Sequence, residues 1–254
     1  MASAFSSRAI PVATGVATIV GAFAALEGLL RAGVINRFVV PLPSEVLASF
    51  GRIVAEEDVL ERTRETAYEV FVAGFFTILI GVPIGAALYR WRPLRDALED
   101  WIAAVAAAPL VLAFPLFLVM FGRSPTTVIV MSAITGLAPM ILKTTEGFAA
   151  TRPVLMNVGK SLKMTDGQMF WKILFPSALP LIFTGVRLSW TFVLISVVGV
   201  EFLINLGGLG QLINELAERY DLPGTYAAIT FVVAVSVVFF VALERLESWL
   251  QPRR

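Results

Sequence analysis

Residues 70–89 run for twenty positions without a charged side chain. A helix needs about 20 apolar residues to cross a hydrocarbon core roughly 30 Å thick. Hydrocarbon offers the backbone no hydrogen bonds, so such a run must be a helix or a strand of a closed barrel. It is too long for a barrel strand and lacks strict alternation, which leaves the helix. Five further stretches meet or approach this length: 10–30, carrying Glu27; 101–122, uncharged, with Pro109 and Pro115; 126–142; 178–206, carrying Arg187 and Glu201; and 222–243, uncharged. The expectation is an all-α membrane protein with six spans, organised as one domain over 1–254.

Composition agrees. Of 254 residues, 57% are hydrophobic and only 15% charged, too little charge for the surface of a soluble domain of this length. There is no cysteine, hence no disulfide or thiolate metal site, and no histidine, the commonest general base and metal ligand. A net charge of +1 gives no field directed at nucleic acid. Residues 9–26 lack charge and can be read as a signal-peptide core, with Ala22, Ala24 and Ala25 as a cleavage region; their length favours an uncleaved first helix.

Lysine and arginine set the orientation. With both termini in the cytoplasm, twelve of the 20 fall in inside segments, among them Arg8, Arg253 and Arg254. Seven fall outside, five of them within 31–66. That segment also holds Glu45, Glu56, Glu57, Asp58, Glu61 and Glu65, so 43–66 reads as an amphipathic surface helix on the periplasmic side. The polar segment 151–176 is bracketed by Pro153 and Pro176 and has helical spacing on both sides of 163–166. It reads as helix, turn, helix outside the membrane. Residues 207–221 hold Gly207, Gly208 and Gly210 and then a short amphipathic run, which reads as a periplasmic cap.

The stretch 146–201 resembles the permeases of binding-protein-dependent ABC importers, most closely the branch for nitrate, alkanesulfonates, taurine and bicarbonate. That family's cytoplasmic signature reads Glu-Ala-Ala, three residues, Gly, nine residues, Ile, one residue, Leu-Pro. Laid on this chain without gaps it starts at Asn157 and matches Ile173 and Pro176. Branch-typical residues surround it: Lys160, Ser161, Leu162, Gln168, Phe170, Lys172, Glu146-Gly147, Leu179-Pro180, Gly185-Val186-Arg187-Leu188, Glu201 and Gly208-Leu209-Gly210. Leu42-Pro43-Ser44-Glu45-Val46-Leu47 is similar as well, so the resemblance covers about 40–248. Three departures stand out: Asn157-Val158-Gly159 replaces Glu-Ala-Ala, Lys163 replaces the central Gly, and Phe175 replaces Leu.

The resemblance implies a type I importer permease fold with a cytoplasmic coupling helix between the fourth and fifth spans. It implies ATPase coupling through Asn157, Gly159, Lys160, Ser161, Leu162, Lys163, Met164, Thr165, Asp166, Gly167, Phe170, Trp171 and Lys172. It implies an ABC ATPase dimer that carries ATP and Mg, a second permease copy, and a periplasmic or lipid-anchored binding protein, all at the inner membrane. This chain itself would bind no cofactor and catalyse nothing. The solute would be small: an anion such as a sulfonate, nitrate or bicarbonate, or a vitamin precursor.

The residues support the same division of labour. No Gly-x4-Gly-Lys-Ser/Thr phosphate loop is present, so ATP must act from another chain through a rigid lever exposed to water. Met169, Phe170 and Ile173 can pack toward the membrane helices, while Met164, Phe170 and Trp171 give bulk to a docking face. Asp166 can cap the second helix. At Lys163 either the turn needs no positive φ or it is strained.

Other positions carry two readings. Arg187 is either a structural ion pair or part of the translocation path. Glu201 lies fourteen residues on, about 21 Å along a helix and on the same face, expected to be the interior; Arg187, Glu201, Phe117 and Met120 are the residues expected along the translocation path. Glu27 is expected to snorkel. Pro109 and Pro115 can kink the third span for gating or serve ordinary packing. Phe114, Phe117, Met120 and Phe121 form an apolar gate or meet lipid and core. An ion-coupled secondary transporter is the rival function; it would need intramembrane carboxylates, and only Glu27 and Glu201 offer themselves. A membrane enzyme would need a catalytic cluster, and none is seen.

Overall fold

A computed structural model of the chain describes residues 2–250, with side chains described from residue 14 onward except Val16 and Leu250. Arg253 and Arg254, and the side chain of Arg8, lie outside the described residues. The described residues form helices and connecting turns with no strand. The elements are α1 (Ala2–Arg31), α2 (Pro43–Glu56), α3 (Val59–Arg90), α4 (Arg92–Ala107), a 3-10 turn (Leu110–Ala113), α5 (Phe114–Phe121) and α6 (Pro125–Ala149). There follow α7 (Pro153–Ser161), α8 (Asp166–Met169), a π turn (Phe170–Leu174), α9 (Phe175–Ile204), α10 (Gly208–Glu218) and α11 (Leu222–Leu250).

The chain divides into two compact units, residues 1–60 with 212–232, and residues 61–211 with 233–254. Four helices among the described residues are long and apolar enough to cross a membrane: Val59–Arg90, Pro125–Ala149, Asp166–Ile204 and Leu222–Trp249. The pair Arg92–Ala107 and Leu110–Phe121 makes a fifth if counted as one broken span.

Three boundaries differ from the sequence reading. The 101–122 stretch is not one straight helix: it bends by 85° between α4 and the segment Leu110–Phe121. Pro109 has no N–H for a helical ladder and forces its predecessor out of the α region, so Ala108 is extended at ψ 138. The amphipathic segment 43–66 is also divided. α2 ends at Glu56, Asp58 turns the chain at φ 48, and residues 59–66 open α3. The run Glu56-Glu57-Asp58 puts negative charge at a helix C-terminus, where the macrodipole disfavours it, and aspartate tolerates the left-handed region better than most residues. Finally, the fifth span does not begin at 178. It runs back without interruption to Asp166, giving 39 residues.

In the unit of residues 61–211 and 233–254, α6 and α9 pack along their lengths against the middle of α3. Val70, Ala73, Val128, Met131, Val193, Val197 and Val200 form one buried cluster. Met140, Phe148, Leu174, Ala178 and Ile182 form a second near α7. The helices approach closely because small residues sit at the crossings. A β-carbon at Gly74 would lie 2.6 Å from the Trp190 ring, and one at Gly136 would lie 2.7 Å from Val193. Thr77 Oγ1 donates across to the Ala133 carbonyl at 3.2 Å, and Thr145 Oγ1 to the Gly85 carbonyl at 3.2 Å.

In the unit of residues 1–60 and 212–232, α2 is fixed at its start by a carboxylate from α1. Glu27 accepts from the Ser44 amide at 3.0 Å and the Ser44 hydroxyl at 2.7 Å, and pairs with Arg31 at 2.6 Å. The expectation of a snorkelling Glu27 is therefore corrected: it satisfies an orphan amide at the N-terminus of α2. Glu45 returns its carboxylate to the Leu42 amide at 3.2 Å, which accounts for the Leu-Pro-Ser-Glu spacing. Arg52 pairs with Asp221, and Arg219 with Glu57 at 2.8 Å.

Candidate functional site

The segment 151–176 folds as a helix, a tight turn and a second helix that becomes α9. Arg152 and Pro153 start α7, proline supplying the fixed φ that suits the first helical position. α7 ends at Ser161, and Lys163 takes φ 51. The position where the family carries glycine thus does require the left-handed conformation, and lysine adopts it at a cost of about 1 kcal/mol. The cap of α8 is Thr165, not Asp166: Thr165 Oγ1 accepts from the Gln168 amide at 3.3 Å, and Gln168 Oε1 accepts from the Thr165 amide at 3.1 Å. This is a capping box, and the hydroxyl reaches an amide three residues on. Asp166 occupies the first helical position, where its charge opposes the helix dipole.

The turn is welded shut from inside. Gly159 is buried, and a β-carbon there would lie 2.5 Å from Met169 Sδ and 2.8 Å from Ile173 Cδ1. So Met169 and Ile173 pack onto α7, rather than onto the membrane helices as expected. Phe170 does face that way. Its ring stacks on Phe148 of α6 at 5.6 Å, and Phe148 meets Tyr89 of α3 at 5.6 Å. Trp171 meets Phe170 edge-on at 5.1 Å. Packed rings thus join Phe170 to the long helices α6 and α3.

The outer side of this hairpin has no covering among the described residues. Leu162 and Trp171 are each 65% exposed, and Val154, Leu155 and Val158 are exposed beside them. Asn157, Lys160, Ser161, Lys163, Thr165, Asp166, Gly167 and Lys172 are exposed too, while Met164 is half-buried. Most of the residues implied for ATPase coupling thus lie together on one exposed hairpin; Gly159 and Phe170 are its internal anchors.

The residues expected along a path separate. Arg187 is 42% exposed at its side chain and pairs with Glu247 of α11 at 3.4 Å. It borders a cleft of about 510 Å³ with Thr184, Leu188, Thr191, Phe240 and Glu244. Glu201 is completely buried, so the two charges share a helix but not an environment. Phe117 is half-buried against the core cluster and stacks on Phe121 at 6.3 Å; Met120 is exposed.

Glu201 is the centre of a network that sequence reasoning missed. It accepts from Thr66 Oγ1 at 2.8 Å and from the Gly210 amide at 2.8 Å. Thr66 in turn accepts from the Leu209 amide at 2.8 Å, and Glu65 from the Gly208 amide at 2.8 Å. Three successive orphan amides at the start of α10 are thus satisfied by side chains of α3 and α9, and the two carboxylates oppose the helix dipole. Gly208 and Gly210 are required here. Gly208 has φ 69, and a β-carbon on it would strike the Glu201 carboxylate. The other end of the α9 turn is held by Arg123, which donates to the carbonyls of Ile204 (2.8 Å) and Asn205. The signal for the network was Glu65-Thr66 and Glu69 at helical spacing beside an apolar run.

Residues 77–254 match the family described as binding-protein-dependent transport system inner membrane component. The chain belongs to this family. Its members are ABC transporter permeases, membrane subunits without catalytic activity of their own, and membership implies an ATPase partner and a solute-binding protein. Among curated relatives, the taurine transport system permease protein TauC of Escherichia coli is 23% identical over 223 residues, covering 86% of this chain and 81% of that one. The formylaminopyrimidine transport permease protein ThiX of Halalkalibacterium halodurans is 24% identical over 178 residues, covering 70% and 71%. The nitrate import permease protein NrtB of Synechocystis is 26% identical over 174 residues, covering 68% and 63%. In solved structures, this permease resembles a chain of the MetNI methionine ABC transporter, with TM-score 0.67, 19% identity and coverage of 76% and 96%. It also resembles a chain of an amino acid ABC transporter, with TM-score 0.63, 19% identity and coverage of 79% and 96%. These neighbours establish the type I importer permease fold.

Proposed function

We propose that two copies of this permease enclose the path of an ATP-driven importer, and that the hairpin at 157–172 is the element on which the ATPase pushes. The observation that carries the reading is the hairpin itself: an exposed apolar face centred on Leu162 and Trp171, backed by rings that reach α3, α6 and α9. Exposed apolar surface of this kind needs a protein partner. The hairpin lies on the cytoplasmic side with both termini. The six spans are α1, α3, the bent pair of α4 with the segment to Phe121, α6, the continuous helix from Asp166 to Ile204, and α11. Closure of an ATPase dimer around bound ATP and Mg favours one of two states of the path, a population shift and not a chemical step in this chain. The binding protein delivers a small solute of the size of a sulfonate, nitrate, bicarbonate or vitamin precursor. Arg187, at the rim of its cleft, is the residue assigned to meet it. The relatives named above are permeases of transport systems and give the ion-coupled alternative no support, and Glu201 is engaged by Thr66 and Gly210.

The test is copurification of the ATPase with tagged native permease and with a variant carrying Leu162→Glu and Gly167→Arg. Both positions are exposed, and Gly167 has open space around its α-carbon, so the variant keeps the fold. The ATPase copurifies with the native chain and is lost from the variant. Retention by the variant would remove the hairpin from the interface.

A further inference from the structure

α4 exposes two chemically opposite faces. Trp91, just before its first residue, and Leu94, Leu98, Trp101 and Val105 recur at spacings of three and four, and all five are exposed, Trp101 to 72%. At about 100° per residue they form one stripe along the helix. Arg92, Asp96 and Asp100 are exposed as well, each four residues from the next, and fall about 180° from that stripe. The half-buried positions Arg95, Glu99, Ile102 and Ala106 mark a third side, turned to the rest of the protein, where α6 is the neighbour. Arg95 and Glu99 pair with each other on that side at 2.7 Å. A helix immersed in hydrocarbon does not leave three charged residues on open positions. A helix surrounded by water does not present two tryptophans and three aliphatic residues in one open stripe. A boundary between the two media satisfies both faces.

We propose that α4 rests in the lipid headgroup boundary of the cytoplasmic leaflet, with its stripe toward the acyl chains and Arg92, Asp96 and Asp100 toward water. The occupant of the stripe is a lipid surface and not a protein because of where the chain places the helix. α3, one of the long apolar helices, ends at Arg90, and Trp91 alone separates it from α4. So α4 starts at the level where a span leaves the bilayer, the level that tryptophan rings favour. Downstream, residues 101–121 carry no charge. The segment Leu110–Phe121, bent by 85° from α4, reaches only about 20 Å. The hydrocarbon core is roughly 30 Å thick, so α4 descends the remaining ~10 Å along its length, with Val105 deeper than Leu94. The first arm of the bent span is thus a shallow ramp into the bilayer. The choice of leaflet rests on the orientation proposed above, whereas the place at a boundary rests on α4 itself, so either can fail alone.

The chain has no cysteine, so single cysteines can carry a spin label without background. Leu94→Cys, Leu98→Cys and Val105→Cys place the label on the stripe, and Asp96→Cys and Asp100→Cys place it opposite. Each full-length variant is reconstituted in vesicles of phosphatidylcholine and phosphatidylglycerol. Electron paramagnetic resonance then reads collisions with oxygen, which enters the acyl chains, and with a water-soluble nickel chelate. The oxygen-to-nickel ratio is expected to be several-fold higher at 94, 98 and 105 than at 96 and 100, and to rise from 94 through 98 to 105. Stripe positions as open to nickel as 96 and 100 would put α4 in water and overturn the proposal. Stripe positions shielded from both reagents would put protein against them and overturn it equally. Where a labelled variant does not fold, tryptophan emission serves in its place. The emission lost to brominated lipid is expected to fall in the double variant Trp91→Phe, Trp101→Phe, and a loss equal to that of the native chain overturns the proposal.

Discussion

The Gly210 amide donates to Glu201 at 2.8 Å, and Gly210 has no room for a side chain: a β-carbon would collide with Glu201 Cβ and the Val198 carbonyl. The motif Gly-Leu-Gly therefore follows from the burial of Glu201. Backbone must approach a carboxylate that has left water, and only glycine permits the approach. Gly210→Ala is expected to destabilise the permease by at least about 1–3 kcal/mol, because a backbone carbonyl cannot step aside as a side chain can. Gly51→Ala is the control, since nothing lies near its α-carbon within α2. Thermal unfolding in detergent should separate the two, with the control equal to or above the native chain.

The left-handed lysine gives the opposite sign. Lys163 is exposed and holds φ 51. Lys163→Gly removes that strain, offset in part by the greater freedom of glycine in the unfolded chain, for a net gain of about 0.5–1 kcal/mol. Lys163→Ala keeps the strain and should give no gain. A melting temperature that rises equally for both would place the effect in the charge and not in the backbone.

How far the sequence carried these conclusions varies with distance along the chain. The apolar helices α3, α6, α9 and α11 were legible because desolvation of a helix in hydrocarbon demands an unbroken apolar run, which any window reveals. The bend at Pro109 was visible as a proline, but its angle of 85° depends on how Leu110–Ala113 tightens into a 3-10 turn. The hairpin at 157–172 was legible because capping and turn chemistry are local. Even so, Thr165 and Asp166 compete for the cap, and only geometry shows the hydroxyl winning. The Glu201 network was illegible because Thr66 stands 135 positions away from its partner. Helical spacing puts Arg187 and Glu201 on one face, yet whether a face is covered at each height depends on neighbours the pattern does not record.

The cap itself can be tested directly. Thr165→Ala removes the acceptor for the Gln168 amide and should cost about 1 kcal/mol. Asp166→Ala removes only an exposed charge near the dipole and should cost a few tenths, up to about 1 kcal/mol at low salt. Raising the salt concentration should erase the effect of Asp166→Ala and leave that of Thr165→Ala, as read by thermal unfolding at two ionic strengths. Equal salt sensitivity would return the cap to the carboxylate.

Two glycines in the same hairpin are expected to respond in contrasting ways. Gly159 is enclosed by Met169 and Ile173, whereas Gly167 has open space around it in the first turn of α8. The atoms nearest Gly159 are the ends of flexible side chains, so Gly159→Ala is tolerated with a loss of about 1 kcal/mol as Met169 swings away. Gly159→Leu cannot be absorbed in this way; it overpacks the joint by about 1–3 kcal/mol and levers α7 off the continuous helix that begins at Asp166. Gly167→Ala fills no occupied space and replaces a residue with poor helix propensity, so it should stabilise by about 0.5–1 kcal/mol. Assembled with its ATPase in vesicles, the Gly159→Leu permease should hydrolyse ATP while solute uptake falls by an order of magnitude or more, because the ring contact from Phe170 to Phe148 no longer follows α7. The Gly167→Ala permease should keep both rates. If Gly159→Leu lost ATP hydrolysis and uptake in equal proportion, the joint would be needed for assembly, and transmission would have to run through another contact.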